Sequence, residues 1–299
     1  MNVSIVVPAH NEAANIEEVI SSLLAQETRE AHIIELMVVA SGCTDDTPAI
    51  ARRLSHGRPG VHVRIQERRE GKVAALNEYL RVRDRRADII VCCSADLRIE
   101  PDVVEKIVVY LREHPRVGLV GARPVPDNDP HELVGRMVCQ LWEMHHQVAL
   151  ARPKMGELIA FRADLIEHVS ELSIVDEASV EDIVTMKGFE LGYLPDAIVH
   201  NHGPERMSEY FEQRRRIARG HYWLKFAFGY KVATLDRTLL LRTAIGIAFR
   251  EDNFGRKALA TGVATEVAAR IAGFIDARIV GGKHRTWTPL SSTKVLKKK

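Results

Sequence analysis

Val3-Ser4-Ile5-Val6-Val7-Pro8-Ala9-His10-Asn11-Glu12 opens the chain: a short, largely β-branched apolar run that breaks into proline, histidine, asparagine and glutamate. A run this apolar reads as a strand covered on both faces. Behind it, from about Glu12 to Gln26, Ile16, Val19, Ile20, Leu23 and Leu24 recur at spacings of three and four, which predicts a helix with one buried face. The unit then repeats. Apolar runs at Ile33–Val39, Val61–Gln66, Ile89–Cys93 and Val117–Ala122 alternate with stretches of helical length. One such stretch follows Thr44, read as its N-cap, with Asp45 and Asp46 in the first turn where the helix dipole favours negative charge. Another starts at Gly71 and carries Val73, Leu76, Leu80 and Val82, and a third opens with Pro101 and continues through Val104, Ile107, Val108 and Leu111. Strands alternating with helices in this way predict an α/β fold: a mainly parallel central sheet flanked by crossover helices.

Pro124 to Asp129 reads as a loop, followed by a long helix ending near Leu150. Leu158–Arg162 and Tyr193–His200 read as strands, Glu181–Lys187 and Met207–Phe228 as helices. Past Gly229 the pattern is wholly helical until a basic tail, Val295-Leu296-Lys297-Lys298-Lys299. The expected division is therefore an α/β unit over 1–228 and a helical extension over 229–299.

The 299 residues include 42 basic and 40 acidic ones, and 46% are apolar, the proportions of an ordinary soluble globular protein. A net charge of +2 argues against a nucleic-acid binder, whose footprint is strongly basic. No uninterrupted apolar run approaches the ~20 residues that span a bilayer, which excludes a transmembrane segment on this criterion. The start shows neither the basic region nor the cleavage site of a signal peptide, so a cytoplasmic location is expected. Four cysteines without C-x-x-C spacing point away from disulfide or thiol chemistry.

Ligands of open α/β sheets bind beyond the carboxyl ends of the strands. Every such end here is polar and turn-forming: Pro8-Ala9-His10-Asn11-Glu12, then Ser41-Gly42-Cys43-Thr44-Asp45-Asp46, then Glu67-Arg68-Arg69-Glu70-Gly71-Lys72, then Ser94-Ala95-Asp96. Each loop alone is ordinary turn chemistry, but four of them on one rim make a site. Their order resembles the family 2 glycosyltransferases, over roughly residues 3 to 225. Ile5–Glu12 is similar to that family's P-x-x-N-E start, Ser41–Thr47 to its D-G-S-x-D-x-T segment, Gly71–Asn77 to its G-K-x-x-A-L-N, and Ser94-Ala95-Asp96 to its D-x-D. The resemblance implies the GT-A fold and an inverting transfer of a hexose-type sugar from a UDP- or GDP-sugar to an acceptor hydroxyl. It also implies nucleotide contacts from Pro8, His10, Asn11, Glu12, Ser41, Lys72, Ser94, Ala95 and Asp96, and Mg²⁺ or Mn²⁺ held by Asp96. Serine at 41 and 94 stands where the family has aspartate, which removes charge from the base and metal positions.

Inverting transfer needs a carboxylate to take the acceptor proton. Two acidic pairs compete, Asp176-Glu177 and Glu181-Asp182. In the resembling members the base lies about eleven residues before a glycine-aromatic pair, and counting back eleven from Gly188 lands on Glu177, with Asp176 beside it. Glu181 and Asp182 read as a solvated helix face, with Asp182 kept as the alternative base. Gln213-Arg214-Arg215-Arg216-Ile217 resembles the Q-x-x-R-W segment, which assigns Gln213 to the substrate and Arg216 to the diphosphate. Gly156 and Glu157 resemble the segment lining the donor sugar. His200 and His202 follow a strand, and His202 is the further candidate metal ligand. Trp142, Tyr222 and Trp223 can stack on sugar or pack in a core. The acceptor expected is a glycan or a lipid-linked one of the cell envelope, and the helices past Gly229 suit either peripheral membrane contact or a cap on the catalytic unit. Loss of two acidic residues leaves a second reading, a non-catalytic subunit that binds nucleotide sugars.

Overall fold

The first four strands form where the β-branched runs lie. β1 (Asn2–Ala9), β2 (His32–Ser41), β3 (Val61–Gln66) and β4 (Ile89–Cys93) are parallel neighbours in the order β3-β2-β1-β4. The computed structural model describes residues 1–171, 173 and 175–279, so the basic tail lies outside the described residues. Crossover helices α1 (Ile16–Leu24), α2 (Thr47–Ser55) and α3 (Lys72–Val82) link these strands. Then follow β5 (Leu97–Ile99), α4 (Val103–Glu113), β6 (Val117–Pro126), α5 (Leu133–Ala151), β7 (Leu158–Arg162), α6 (Asp176–Met186), β8 (Glu190–Asn201) and α7 (Met207–Phe228). A short 3-10 turn at Ala233–Leu235 leads into α8 (Arg237–Arg250) and α9 (Asn253–Ile279).

Alternation along the strands builds two cores. Val3, Ile5 and Val7 of β1 and Ile89, Val91 and Cys93 of β4 face α1, α2 and α4. Val6, Ile90 and Cys92 point the other way, against Val73, Leu76, Tyr79 and Leu80 of α3 and Val180 and Val184 of α6.

The sheet is mixed, with four of its seven strand pairings parallel. β7 runs antiparallel to both β4 and β6, β6 and β8 are parallel, and β5 closes the edge antiparallel to β8. This reversal brings the start of β7 to the same rim as the ends of β1 to β4. β3 is an edge strand with Ile65 42% exposed, so it is not covered on both faces. Pro124–Pro126 is not loop: past an irregularity at Ala122/Arg123, β6 resumes pairing with β8 as far as Pro126. α1 begins at Ile16 because Glu12 to Asn15 form a turn, with Asn15 N and Ile16 N both donating to Glu12 O. The N-cap of α2 is Asp46 rather than Thr44, and α4 starts two residues after Pro101. α6 starts at Asp176, five residues before the expected position, with both acidic residues in its first turn.

One correction concerns the membrane. α9 is long and apolar enough to cross one, because its charges are spaced so that its most apolar 18-residue window holds no more than two. A search for uninterrupted apolar runs misses such a helix. Here α9 lies along α7 through small residues: a Cβ on Gly273 would sit 2.7 Å from both Arg215 O and Arg219 N. Bidentate pairs from Arg214 to Glu266 (2.7 and 3.2 Å) and from Arg215 to Asp276 (2.7 and 3.0 Å) fasten the two helices.

Candidate active site

The rim is assembled by hydrogen bonds between loops that are far apart in sequence. His10 Nδ1 lies 2.8 Å from Ser41 O, and Asn11, in the left-handed region at φ 53°, accepts from Thr44 N at 2.8 Å. Thr47 Oγ1 accepts from Glu12 N at 2.7 Å and donates to Asp45, which also accepts from Ala13 N. Asp45 and Thr44 thus tie the β1 and β2 loops together, and Asp45 also accepts from Thr47 N at 3.1 Å at the start of α2. Gly42 is required at its position: φ is +55°, and a Cβ would meet Arg69 N at 2.3 Å, so the β2 and β3 loops pass in backbone contact.

Behind the rim a cleft of ≈ 1090 Å³ opens between the sheet and helices α5, α7, α8 and α9. It is lined by Pro8, His10, Glu12, Ser41, Lys72, Ser94, Ala95, Asp96, Gly156, Glu157, Asp176, Glu177, His202, Gln213 and Arg216. Asn11 instead turns its side chain to Thr44.

At the centre stands Lys72, the first residue of α3, aimed by Gly71 at φ 99°. Its Nζ lies 2.6 Å from Glu177 Oε1, 2.9 Å from Asp176 Oδ2 and 3.3 Å from Ser94 Oγ. Burial opposes ionisation of Glu177, yet the Lys72 charge, then hydrogen bonds from Asp176 and from Lys72, hold this carboxylate down at about 2. Burial and the neighbouring Glu177 charge push Asp176 up to about 7. Lys72 and the hydrogen bond between the two carboxyl groups together favour one ionised carboxylate in the pair. Antiparallel pairing of β7 with β4 places Glu157 against Ser94: Ser94 N donates to Glu157 O and Ser94 Oγ to Glu157 Oε2, both at 3.1 Å. Burial, then the charge of Asp96, raise the Glu157 carboxyl to about 7. Arg216 enters from α7 within the field of Glu157, Glu177, Asp176 and Asp96, although burial lowers its own basicity.

Glu181 and Asp182 are not a solvated face; they are 2% and 8% exposed. Glu181 accepts from Met155 N at 2.8 Å and from Tyr230 OH at 2.9 Å, holding the segment before β7 in place. Burial raises both carboxyls, and Asp182 is not among the described residues lining the cleft. His202 is buried with Nδ1 2.5 Å from Asp127 and Nε2 3.2 Å from Glu205; the Asp127 hydrogen bond raises its pKa, which favours the ring that donates from both nitrogens. His200 pairs with Glu100 at 2.7 Å. Trp142 and Tyr222 line the cleft, whereas Trp223 packs in a cluster with Ala178, Leu224 and Val232. Cleft residues that escaped the sequence reading include Lys154, His145 and His221. Lys154 stands two residues before Gly156 in a polar strand-entry loop, the one signal that was present; the two histidines sit inside long helices and carry none.

Comparison with known proteins agrees with this geometry. The sequence profile of glycosyl transferase family 2 matches residues 4–160. An N-acetylglucosaminyltransferase of Azorhizobium caulinodans is 26% identical over 242 residues, covering 74% of this chain and 59% of that protein. A poly-beta-1,6-N-acetyl-D-glucosamine synthase of Staphylococcus aureus (strain COL) is 23% identical over 233 residues, covering 73% and 54%. The chain thus spans little more than half the length of these relatives. Among solved structures, the mannosyltransferase PcManGT from Pyrobaculum calidifontis, in complex with GDP-Man and Mn²⁺, superposes with a TM-score of 0.63 at 23% identity, covering 93% of this chain and 87% of that one. Glucosyl-3-phosphoglycerate synthase from Mycobacterium tuberculosis, with Mn²⁺, UDP-glucose and phosphoglyceric acid, gives 0.51 at 23% identity, covering 73% and 77%. Both are similar in fold, which is GT-A.

Proposed function

We propose a reaction on the premise that the match supplies: the chain belongs to glycosyl transferase family 2. It transfers a sugar, with inversion, from a nucleoside-diphosphate sugar to an acceptor hydroxyl. The observation that carries this reading is the meeting of Lys72 and Arg216 with the carboxylates of Asp176, Glu177 and Glu157 at the mouth of the strand-end cleft. In this reading the nucleoside lies on Pro8 to Glu12 and Ser41, and Lys72 and Arg216 face the diphosphate, where positive charge stabilises the leaving group. Glu177, held ionised, takes the acceptor proton, and Asp176 beside it keeps the pair's second proton.

A divalent cation fits the donor set. Asp96 and Glu157, both half-buried, repel one another, the arrangement that a hard cation relieves, and Mg²⁺ or Mn²⁺ commonly takes one or two carboxylates and completes its shell with phosphate and water. Asp96 would hold it, with Glu157 as second oxygen donor. His202 could join only if Nε2 left Glu205. Such an ion would neutralise charge on the diphosphate. The Mn²⁺ in the similar mannosyltransferase supports the assignment. The similar proteins' GDP-mannose and UDP-glucose leave both nucleotides as donors to test, and the staphylococcal relative, a poly-beta-1,6-N-acetyl-D-glucosamine synthase, favours a glycan as the product class.

The test is nucleoside diphosphate release from a panel of UDP- and GDP-sugars with Mn²⁺ or Mg²⁺. One donor is expected to turn over, with about 10³-fold loss in Glu177→Gln, the middle of the range for removing a general base, a comparable loss in Asp96→Ala, and little change in Asp182→Asn. Abolition by Asp182→Asn instead would move the base. Binding of donors without release, with glycan and lipid acceptors supplied, would replace the enzyme by the nucleotide-sugar-binding subunit.

A further inference from the structure

We infer that the cleft selects guanine: Arg69, in the loop after β3, holds the donor's base by the two adjacent acceptors of one guanine edge, O6 and N7. This rests on the reading above, in which the nucleoside lies on Pro8 to Glu12 and Ser41, and it chooses between the two donor classes left open there. The similar structures do not choose, since one holds GDP-mannose and the other UDP-glucose.

Arg69 lines the cleft together with Ser41, Glu70 and Lys72. Its backbone is fixed, because Arg69 N and Cα lie so close to Gly42 that a Cβ there would meet them at 2.3 and 2.7 Å. The side chain therefore starts beside Ser41, where the D-G-S-x-D-x-T segment has aspartate. Half-buried, Arg69 makes no hydrogen bond or ion pair with the described residues. Burial lowers its basicity, and no carboxylate stands close enough to offset the loss. The neighbouring cations differ: Lys72 is held by Asp176 and Glu177, and Arg216 stands in the field of four carboxylates. A guanidinium drawn partly out of water with nothing to donate to is completed by a ligand that brings acceptors.

The groups around Arg69 decide which acceptors fit. Uracil sets O4 and O2 on either side of the N3 proton, so it needs a protein acceptor between two donors. Ser41 does not supply it. Its side chain is buried, with Oγ 3.4 Å from Arg68 O, to which it donates, and 3.4 Å from Glu70 N, from which it accepts. Its carbonyl oxygen lies 2.8 Å from His10 Nδ1. Glu12 Oε2 accepts from Asn15 Nδ2 at 3.1 Å, and Asp45 is engaged by Ala13 N and Thr47. The carboxylate left for a base proton is the exposed Glu70, 3.4 Å from Gln66 Nε2, and the test below tells its contribution apart. A guanidinium carries donors only, two of them parallel on one side, and this fork matches guanine O6 and N7. Adenine sets a donor, N6, beside N7 and satisfies half of the fork. Serine at 41 thus takes away the acceptor that uracil needs and leaves a donor fork that guanine uses.

The probes are nucleoside diphosphates without sugar, titrated calorimetrically into the full chain with Mg²⁺ present. GDP is expected to bind at least about tenfold more tightly than UDP or ADP, a difference of about 1.4 kcal/mol, within the range of one bidentate contact to a base. Two analogues locate the edge on the unaltered protein. IDP keeps O6 and N7 but lacks the 2-amino group, and should bind within about twofold of GDP; 7-deaza-GDP lacks N7 and should bind about tenfold more weakly. Arg69→Met should bring GDP to the level of UDP, and Arg69→Lys, which keeps the charge without the fork, should lose most of the preference as well. Binding of UDP, ADP or CDP as tight as that of GDP overturns the proposal. So does weak binding of IDP with 7-deaza-GDP unimpaired, which would give the base to Glu70. An equal weakening of GDP and UDP in Arg69→Met also overturns it, by making Arg69 a phosphate contact. In all of these results a nucleotide still binds and the glycosyltransferase reading stands, whereas no binding of any diphosphate overturns both. A preference for GDP with no release from GDP-sugars supports the base assignment and counts against the enzyme reading alone.

Discussion

Lys72 faces two carboxylates with one charge, and the balance at that residue sets how the centre responds to change. Replacing it by Met leaves Asp176 and Glu177 buried without their cation. Glu177, now near 2, then rises, because the charge that opposed burial has gone. Lys72→Met is therefore expected to lose about 10²-fold or more in nucleoside diphosphate release, by analogy with removal of one charge-stabilising donor. Its residual activity should also fall away at a higher pH on the acid side than in wild type, since the base takes up a proton sooner. A pH–rate profile of both proteins checks this, and an unmoved acid limb would detach Lys72 from the base. Glu177 was singled out in the sequence from its distance to Gly188. Its partner was not, because Lys72 lies 105 residues away and nothing local encodes the pairing.

Helix α9 shows what pairing does for an element. Its composition alone permits a membrane crossing, and its place in the fold follows from where its few charges sit. Glu266 is gripped by Arg214 and Arg270, which hold it down at about 2 against the cost of burial. A carboxyl whose folded value lies below its unfolded value of ~4.3 adds stability that is complete above that pH and is lost as pH falls toward the folded value. Glu266→Gln should then cost about 3 kcal/mol at neutral pH, the lower range for breaking a buried pair, and the deficit against wild type should shrink between about pH 4 and about 2. Urea unfolding followed by helical circular dichroism at several pH values measures it. A constant deficit would mean that the loss is one of packing alone. Helices α7 and α9 were both foreseen as helical stretches, but their register against each other depends on Gly273 meeting the α7 backbone, a contact that periodicity does not specify.

At the scale of the molecule, the segment after Phe228 forms walls of the cleft as well as packing on α5 and α7. The division at that point, made on the sequence, is a proposal about folding units with a direct test. A chain ended at Phe228 would strip Glu266 and Asp276 from Arg214 and Arg215 and uncover Met137, Val138 and Tyr210. It is expected to aggregate on gel filtration or bind hydrophobic dye. A monomeric product with a sharp thermal transition would instead make 1–228 an autonomous unit and the later helices accessory.

By itself the sequence determined the first four strands, the helices between them and the polar loops that gather at one rim. Hydrophobic period, turn residues and strand-end chemistry act among neighbours in the chain, and they are readable there. Only the tertiary structure decided that β7 runs backwards to deliver Glu157 to Ser94, that the short β5 pairs with β8, and that Glu181 is a buried anchor for Met155. It also decided that α9 lies on α7 with an apolar face left open to the cleft. Each of these depends on partners tens of residues apart, whose meeting is set by packing and charge pairing across the whole fold rather than by any local pattern.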